Sequence, residues 1–214
     1  MSFVALIDYG SGNLRSAEKA LARAAKDAGT HQEIIVTSDA VVVAAAERIV
    51  LPGVGAFGDC MDSLSALPGM IDTLNDKARK QGVPFLGICV GMQLLATVGR
   101  EFGNHKGLDW IEGETVKLTP SDPALKIPHM GWNELMLSRA HPVFAGLAKN
   151  AHAYFVHSYC IKPTSPSDIL ATTDYGGSVV AAVARDNIVG TQFHPEKSQA
   201  MGLALLGNFL RWKP

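Results

Sequence analysis

Residues 83–95 run Val83-Pro84-Phe85-Leu86-Gly87-Ile88-Cys89-Val90-Gly91-Met92-Gln93-Leu94-Leu95. Bulky apolar residues give way to one polar nucleophile between two glycines, and the spacing then turns helical. The segment predicts a strand over Val83 to Ile88, a sharp turn at Cys89 and a helix from Val90 to about Val98. This is the nucleophile-elbow pattern with sulfur in place of oxygen, a turn too tight for side chains on both sides of the nucleophile. A helix that starts just after a cysteine lowers its pKa through unpaired N–H groups, so Cys89 is expected to be partly thiolate. Taken alone, the same residues also suit a buried structural cysteine at a strand end.

Outward from the elbow, the first half of the chain alternates short β-branched runs with longer helical patterns, the signature of parallel strands joined by helices. Strands are expected at Phe3 to Asp8, Ile34 to Thr37 and Arg48 to Leu51. Leu14, Ala17, Leu21, Ala24 and Ala28 recur at helical spacing, with Asn13 as a candidate N-cap and Gly29 as the stop. A further helix is expected from about Met61 to Lys80. After Gly107 the apolar segments shorten and read as strands joined by turns. The last hairpin pairs Ser178 to Arg185 with Ile188 to Phe193 across Asp186-Asn187, and a helix follows over about Gln199 to Arg211. The elements predict an α/β fold, one domain over residues 1–214 with a mixed, mostly parallel sheet flanked by helices.

Composition narrows the function. The 214 residues are 47% hydrophobic and 18% charged, enough to bury a substantial core and too poorly charged for disorder. Nineteen basic and twenty acidic residues leave a net charge of −1, with no general pull toward phosphate backbones or anionic lipid. No nucleic acid and no membrane partner is therefore expected. The longest apolar run, Ala40 to Ala46, is far below membrane-spanning length. Phe3 to Ile7 has no basic residues before it and reads as a strand rather than a signal peptide. Cys60, Cys89 and Cys160 are an odd number at wide spacing, no disulfide framework, and fit a reducing compartment. A soluble, cytoplasmic protein is expected.

Two further segments carry chemistry. In Gly190-Thr191-Gln192-Phe193-His194-Pro195-Glu196, residues two apart in extended chain share a side, so Glu196 can hold one nitrogen of His194 while the other works on a thiol. Pro195 restricts His194 to the β region and fixes the pair at a strand end. By itself His-x-Glu also describes a surface strand terminus. Pro52-Gly53-Val54-Gly55-Ala56-Phe57-Gly58 can aim backbone N–H groups at a developing oxyanion, with the Val90 N–H as a second donor; an ordinary Gly/Pro turn reads the same way. Gly10-Ser11-Gly12 lacks the third glycine of a dinucleotide fingerprint, since Arg15 stands there, and no phosphate loop or zinc motif occurs. His152 and His157 read as packing or turn structure rather than zinc ligands. No cofactor and no metal are expected.

With these residues in hand, the chain resembles the triad-type, class I glutamine amidotransferases, whose fold is flavodoxin-like. Within them it is most similar to the glutaminase subunits of imidazole glycerol phosphate synthases. The matching strings are Asp8 to Leu14, Leu51 to Phe57, Gly87 to Leu95, Pro128 to Asn133 (PHMGWN), Tyr154 to Tyr159 (YFVHSY) and Thr191 to Ser198 (TQFHPEKS). The resemblance implies a glutaminase with a Cys89, His194, Glu196 triad and an oxyanion held by N–H groups of Val54, Gly55 and Val90. It implies substrate L-glutamine read by Gln93, Glu101, Ser158 and Tyr159. It also implies a heterodimer with a cyclase (β/α)-barrel subunit, which takes up the ammonia for histidine biosynthesis. Asn13, Met130, Trp132, Asn133, Tyr154 and Lys197 are the candidates for the docking face.

Other readings stay open at this level. PHMGWN separates the chain from a glutaminase subunit of another synthase, such as anthranilate synthase. A non-catalytic α/β protein with Cys89 as a redox sensor needs no oriented base, so His194 and Glu196 count against it. An α/β-hydrolase places its acid before the histidine, whereas Glu196 follows.

Overall fold

The computed structural model describes residues 2–214. In chain order the elements are β1 (Phe3–Ile7), α1 (Leu14–Asp27), β2 (Glu33–Thr37), α2 (Ala40–Ala45), β3 (Arg48–Leu51), α3 (Phe57–Ala66) and α4 (Met70–Leu74). Next come β4 (Phe85–Ile88), α5 (Val90–Gln93), β5 (Ala96–Gly99), β6 (His105–Lys106), β7 (Ile111–Lys117), β8 (His129–Glu134) and β9 (Met136–Leu137). The remainder are β10 (His152–His157), β11 (Tyr159–Pro163), β12 (Ile169–Asp174), β13 (Ser178–Arg185), β14 (Ile188–Thr191) and α6 (Gln199–Arg211).

The main sheet runs β2-β1-β3-β4-β14-β13-β12-β9. Its first five strands are parallel and the last three antiparallel, so the sheet is mixed and mostly parallel as expected. The central strands β3 and β4 are buried on both faces, which is why they read as continuous apolar runs. α1 packs on α6, with Gly207 close to Ala28. Two smaller sheets, β11-β7-β5-β6 and β10-β8, stand beside the main one. They are additions to the single mixed sheet read from the sequence, because the short second-half strands pair among themselves.

Several boundaries need correction. The helix expected over Met61 to Lys80 is broken: α3 starts earlier, at Phe57, and stops at Ala66, and after α4 the chain continues as a π-helical turn, Asn75–Lys80. Pro68 biases Leu67 out of the helical region, to φ −73°, ψ 119°, and Gly69 sits at φ 72° before the chain restarts. The helix expected over Val90 to Val98 is only α5. Ala96–Gly99 pairs instead between β6 and β7, where β-branched Thr97 and Val98 suit a pleated strand better than a helix. The first strand stops at Ile7, the fourth starts at Phe85 after Pro84, and the last ends at Thr191 rather than Phe193. Asn13 precedes α1 but caps it through its carbonyl, which accepts from Ser16 and Ala17, and not through its side chain. Among the described residues no helix is long and apolar enough to cross a membrane.

Candidate active site

The elbow lies at the carboxyl edge of the parallel strands. β4 and β14 are neighbours with Thr191 beside Ile88, so the two segments leave the sheet side by side and the Cys89 N–H donates to the Thr191 carbonyl at 2.7 Å. Cys89 holds φ 55°, ψ −111°, a strained conformation for a residue with a side chain. A Cβ at Gly87 would lie 2.6 Å from the Gly91 carbonyl oxygen, and one at Gly91 only 1.9 Å from the Leu51 carbonyl oxygen. Both flanks of the cysteine are therefore confined to glycine. α5 follows at once, and Cys89 is buried at 4% exposure.

His194 reaches the same edge from β14. Its Nδ1 lies 2.7 Å from Oε1 of Glu196, and both side chains are nearly closed to solvent. The pairing does not come from extended chain at a strand end, as the sequence suggests. His194 itself is extended, at φ −96°, ψ 101°, but Pro195–Lys197 forms a 3₁₀ turn that folds Glu196 back onto the ring. Nε2 of His194 is buried and has no hydrogen-bond partner among the described residues. Burial by itself would lower the imidazole pKa; the Cys89 sulfur and the Glu196 carboxylate outweigh it and hold His194 up at about 9. The arrangement can take a proton from a neighbouring thiol and keep it.

The Pro52–Gly55 segment faces the elbow. Gly53 turns its carbonyl to the Val90 N–H at 3.4 Å. Tyr9 Oη donates to the Pro52 carbonyl at 2.8 Å, while Ser11 Oγ donates to the Val54 carbonyl and the Cys60 thiol reaches the same oxygen at 3.5 Å. Burial raises the Tyr9 and Cys60 pKa values, so both stay protonated donors.

Between these parts lies a pocket of about 320 Å³, within the range of small-molecule sites. Val54, Gly55, Cys89, Val90 and His194 line it together with Gln93, Glu101, Ser158 and Tyr159. Glu101 is anchored where Oε2 accepts the Phe57 N–H at the start of α3, at 2.8 Å. The Leu118 N–H donates to the Ser158 carbonyl at 2.9 Å. The adjoining Tyr159–Lys117 pair is then the non-hydrogen-bonded kind, which turns both Tyr159 backbone groups away from β7. Its carbonyl accepts from Gln93 Nε2 at 2.9 Å.

Residues 5–212 match the family model of class-I glutamine amidotransferases. The chain belongs to this family. It is 58% identical over 214 residues to the imidazole glycerol phosphate synthase subunit HisH of Brucella suis, with 99% of each chain covered. Its identity to the HisH subunit of Mesorhizobium japonicum is 59%, again over 99% of each. A crystal structure of a glutamine amidotransferase superposes with a TM-score of 0.70 at 17% identity, over 94% of this chain and 95% of that one, and shows the same fold.

In this amidotransferase most of the expected docking residues gather beside the pocket. Trp132 on β8 pairs with Tyr154 on β10, the rings edge to face at 5.9 Å, and Lys197 Nζ lies 5.8 Å from the Tyr154 ring centroid. Met130 and Trp132 are 62% and 47% exposed. Asn133 is half-buried, its amide turned inward to His129 and the Asp174 carbonyl. Asn13 is exposed at the start of α1, where Gly12 approaches Pro52. Sequence reasoning missed Gln192, fully buried, whose Nε2 lies 3.7 Å from Cys89 Sγ. It also passed over His157, which lines the pocket, while His152 is exposed on the chain's surface. For Gln192 the signal was present, since it stands inside the TQFHPEKS string.

Proposed function

We propose that this chain is the glutaminase subunit of an imidazole glycerol phosphate synthase, which hydrolyses glutamine and passes ammonia to a cyclase (β/α)-barrel partner in a cytoplasmic heterodimer, a lyase by its overall reaction. The observation that carries the reading is that Cys89 and His194 line one pocket with Glu196 held against the far side of the imidazole, in a chain alike over 99% of its length to subunits of that name. The Cys89 thiolate attacks the side-chain carboxamide carbon of glutamine, forming a C–S bond. Protonated His194 gives its proton to the leaving nitrogen, ammonia departs, and a glutamyl thioester remains. A water that loses its proton to His194 then breaks the C–S bond, releasing glutamate. Glu196 keeps the imidazole oriented throughout. Val54, Gly55 and Val90 supply the oxyanion donors. Gln93 and Glu101 bind the α-ammonium, and the corner at Ser158 and Tyr159 binds the α-carboxylate. The patch of Met130, Trp132, Asn133, Tyr154 and Lys197, with Asn13, receives the cyclase.

One continuous core that includes residues from Val4 to Trp212 supports a single domain. Three free, buried cysteines suit the reducing cytoplasm. Glutamate production should be stimulated by the cyclase and its nucleotide ligand, and Cys89→Ser should abolish it while leaving the circular dichroism spectrum unchanged. Activity retained by Cys89→Ser would refute the mechanism; stimulation by an anthranilate-forming partner instead would refute the assignment of the synthase.

A further inference from the structure

Two buried histidines remain once the pocket's thiol, base and carboxylates have roles. His129 begins β8 and His157 ends β10, and the antiparallel register sets them opposite one another. They are 2% and 6% exposed, and the His129 ring stacks on Phe155 and Tyr175, with centroids 4.7 and 4.0 Å away.

Their hydrogen bonds admit one polarity. The Tyr159 carbonyl can only accept, so its 2.8 Å contact puts the His157 proton on Nδ1. Nε2 of His157 is then an acceptor, and Nδ1 of His129, 3.0 Å away, donates to it. That leaves Nε2 of His129 to accept from Asn133 Nδ2 at 3.2 Å, whose other hydrogen goes to the Asp174 carbonyl at 2.7 Å. The chain closes only if both imidazoles are neutral, and burial, which pushes each down to about 4, keeps them so. A buried network satisfied in one direction is stiff.

At the inner end, the Tyr159 carbonyl also accepts a hydrogen bond from Gln93 Nε2, and the second hydrogen of that amide is donated to Gln192 Oε1 at 3.2 Å. Both Gln93 N–H bonds are thereby committed, and Oε1 is the atom left for a cationic ligand group. At the outer end, Asn133 follows exposed Trp132 on β8. The geometry points to His129 and His157 as positioning residues that brace the Tyr159 carbonyl against Gln93, fix the glutamine-reading edge of the pocket, and tie it to the strand that carries Trp132. This inference rests on the glutaminase reading above. Since both histidines act in this scheme through the Tyr159 carbonyl and not on the reacting bond, losing the brace weakens glutamine binding more than turnover.

The test is steady-state glutaminase kinetics in complex with the cyclase subunit. His157→Leu keeps the volume without the donors and should raise KM for glutamine about fivefold to tenfold, the range of one hydrogen bond, with kcat within about threefold of wild type. His157→Gln, which can donate and accept, should return KM to within about threefold of wild type. Asn133→Ala breaks the same chain from its outer end and, assayed at saturating cyclase because Asn133 also belongs to the proposed docking patch, should raise KM without adding to the His157→Leu effect in the double variant. An unmoved KM, equal effects of Leu and Gln at 157, or additive effects of positions 133 and 157 would each overturn the brace. A wild-type complex that fails to hydrolyse glutamine would instead overturn the functional reading.

Discussion

Lowering the pH from 7 to 5 should destabilise the fold through buried His129 and His157 and half-buried His141. Burial pushes His129, His141 and His157 down to about 4, with nearby Arg139 adding to the effect at His141. Unfolded imidazoles, with ordinary values near 6.5, bind protons in this window while the folded ones do not, so protons favour unfolding and stability falls as pH falls from 6.5 toward 4. One group shifted from about 6.5 to about 4 loses about 2 kcal/mol between pH 7 and pH 5, which gives three groups a ceiling of about 6 kcal/mol. His194 works the other way. Held at about 9, it contributes most below pH 6.5, loses its contribution as pH rises through about 9, and offsets under about 1 kcal/mol of the acid loss. Relaxation around charged imidazoles reduces the rest, and a net loss of about 2–4 kcal/mol is expected, a large part of a typical folding free energy. Urea unfolding followed by tryptophan fluorescence at the two pH values measures it. His157→Gln does not titrate, so its drop should be smaller than that of wild type by about 1–2 kcal/mol, one histidine's share after relaxation, whatever the substitution costs at pH 7. Equal drops in wild type and variant would refute the reasoning.

Two other expectations concern the site and its face. Glu196→Gln removes the carboxylate that orients His194 and should lower kcat about a hundredfold or more with KM within threefold; a variant at half of wild-type kcat would take Glu196 out of the mechanism. Trp132→Ala should weaken binding to the cyclase by about tenfold to a hundredfold in titration calorimetry while the melting temperature holds, because the ring is half exposed and spends its free surface on no other part of the chain. Unchanged affinity would move the docking face elsewhere.

The parts of the site that show in the sequence are those enforced by local sterics. Gly87 marks the elbow locally, because a Cβ there runs into the Gly91 carbonyl four residues on; Gly91 is held to glycine by the Leu51 carbonyl on β3, a distant partner that happens to leave the same mark in the sequence. Pro195 announces an extended His194 for the same reason, although the turn that brings Glu196 to it was misread as strand. Leu67-Pro68-Gly69 carried the signal that breaks the expected helix, but apolar spacing across it masked the stop. Ala96 to Gly99 had no such signal. Its strand exists because β6 and β7 offer pairing, a tertiary effect that overrides the helical spacing. The brace of His129 and His157 was equally hidden: the two are 28 positions apart, and only the register of β8 and β10 makes them partners.

The proposed chemistry and the resting geometry meet at one peptide plane. A trans peptide points its carbonyl and its N–H in opposite directions, so when Gly53 turns its carbonyl to Val90, the Val54 N–H faces away from the elbow. The same contact occupies the Val90 N–H. Rotating the Gly53–Val54 plane would free one proposed oxyanion donor and aim the other. The flanking planes are held, by Tyr9 at the Pro52 carbonyl and by Ser11 and Cys60 at the Val54 carbonyl, whereas the middle plane keeps a single long bond of 3.4 Å. Glycine at 53 makes that rotation inexpensive, and no other residue fits, since a Cβ would stand 2.6 Å from Tyr9 Oη and 2.8 Å from the Gly91 nitrogen. In this scheme nucleophile and base already share the pocket in the free chain while the oxyanion donors are turned away, so the ratio of glutamine hydrolysis with and without the cyclase measures how far the plane has turned. A free chain as active as the complex would show that the resting orientation restrains nothing.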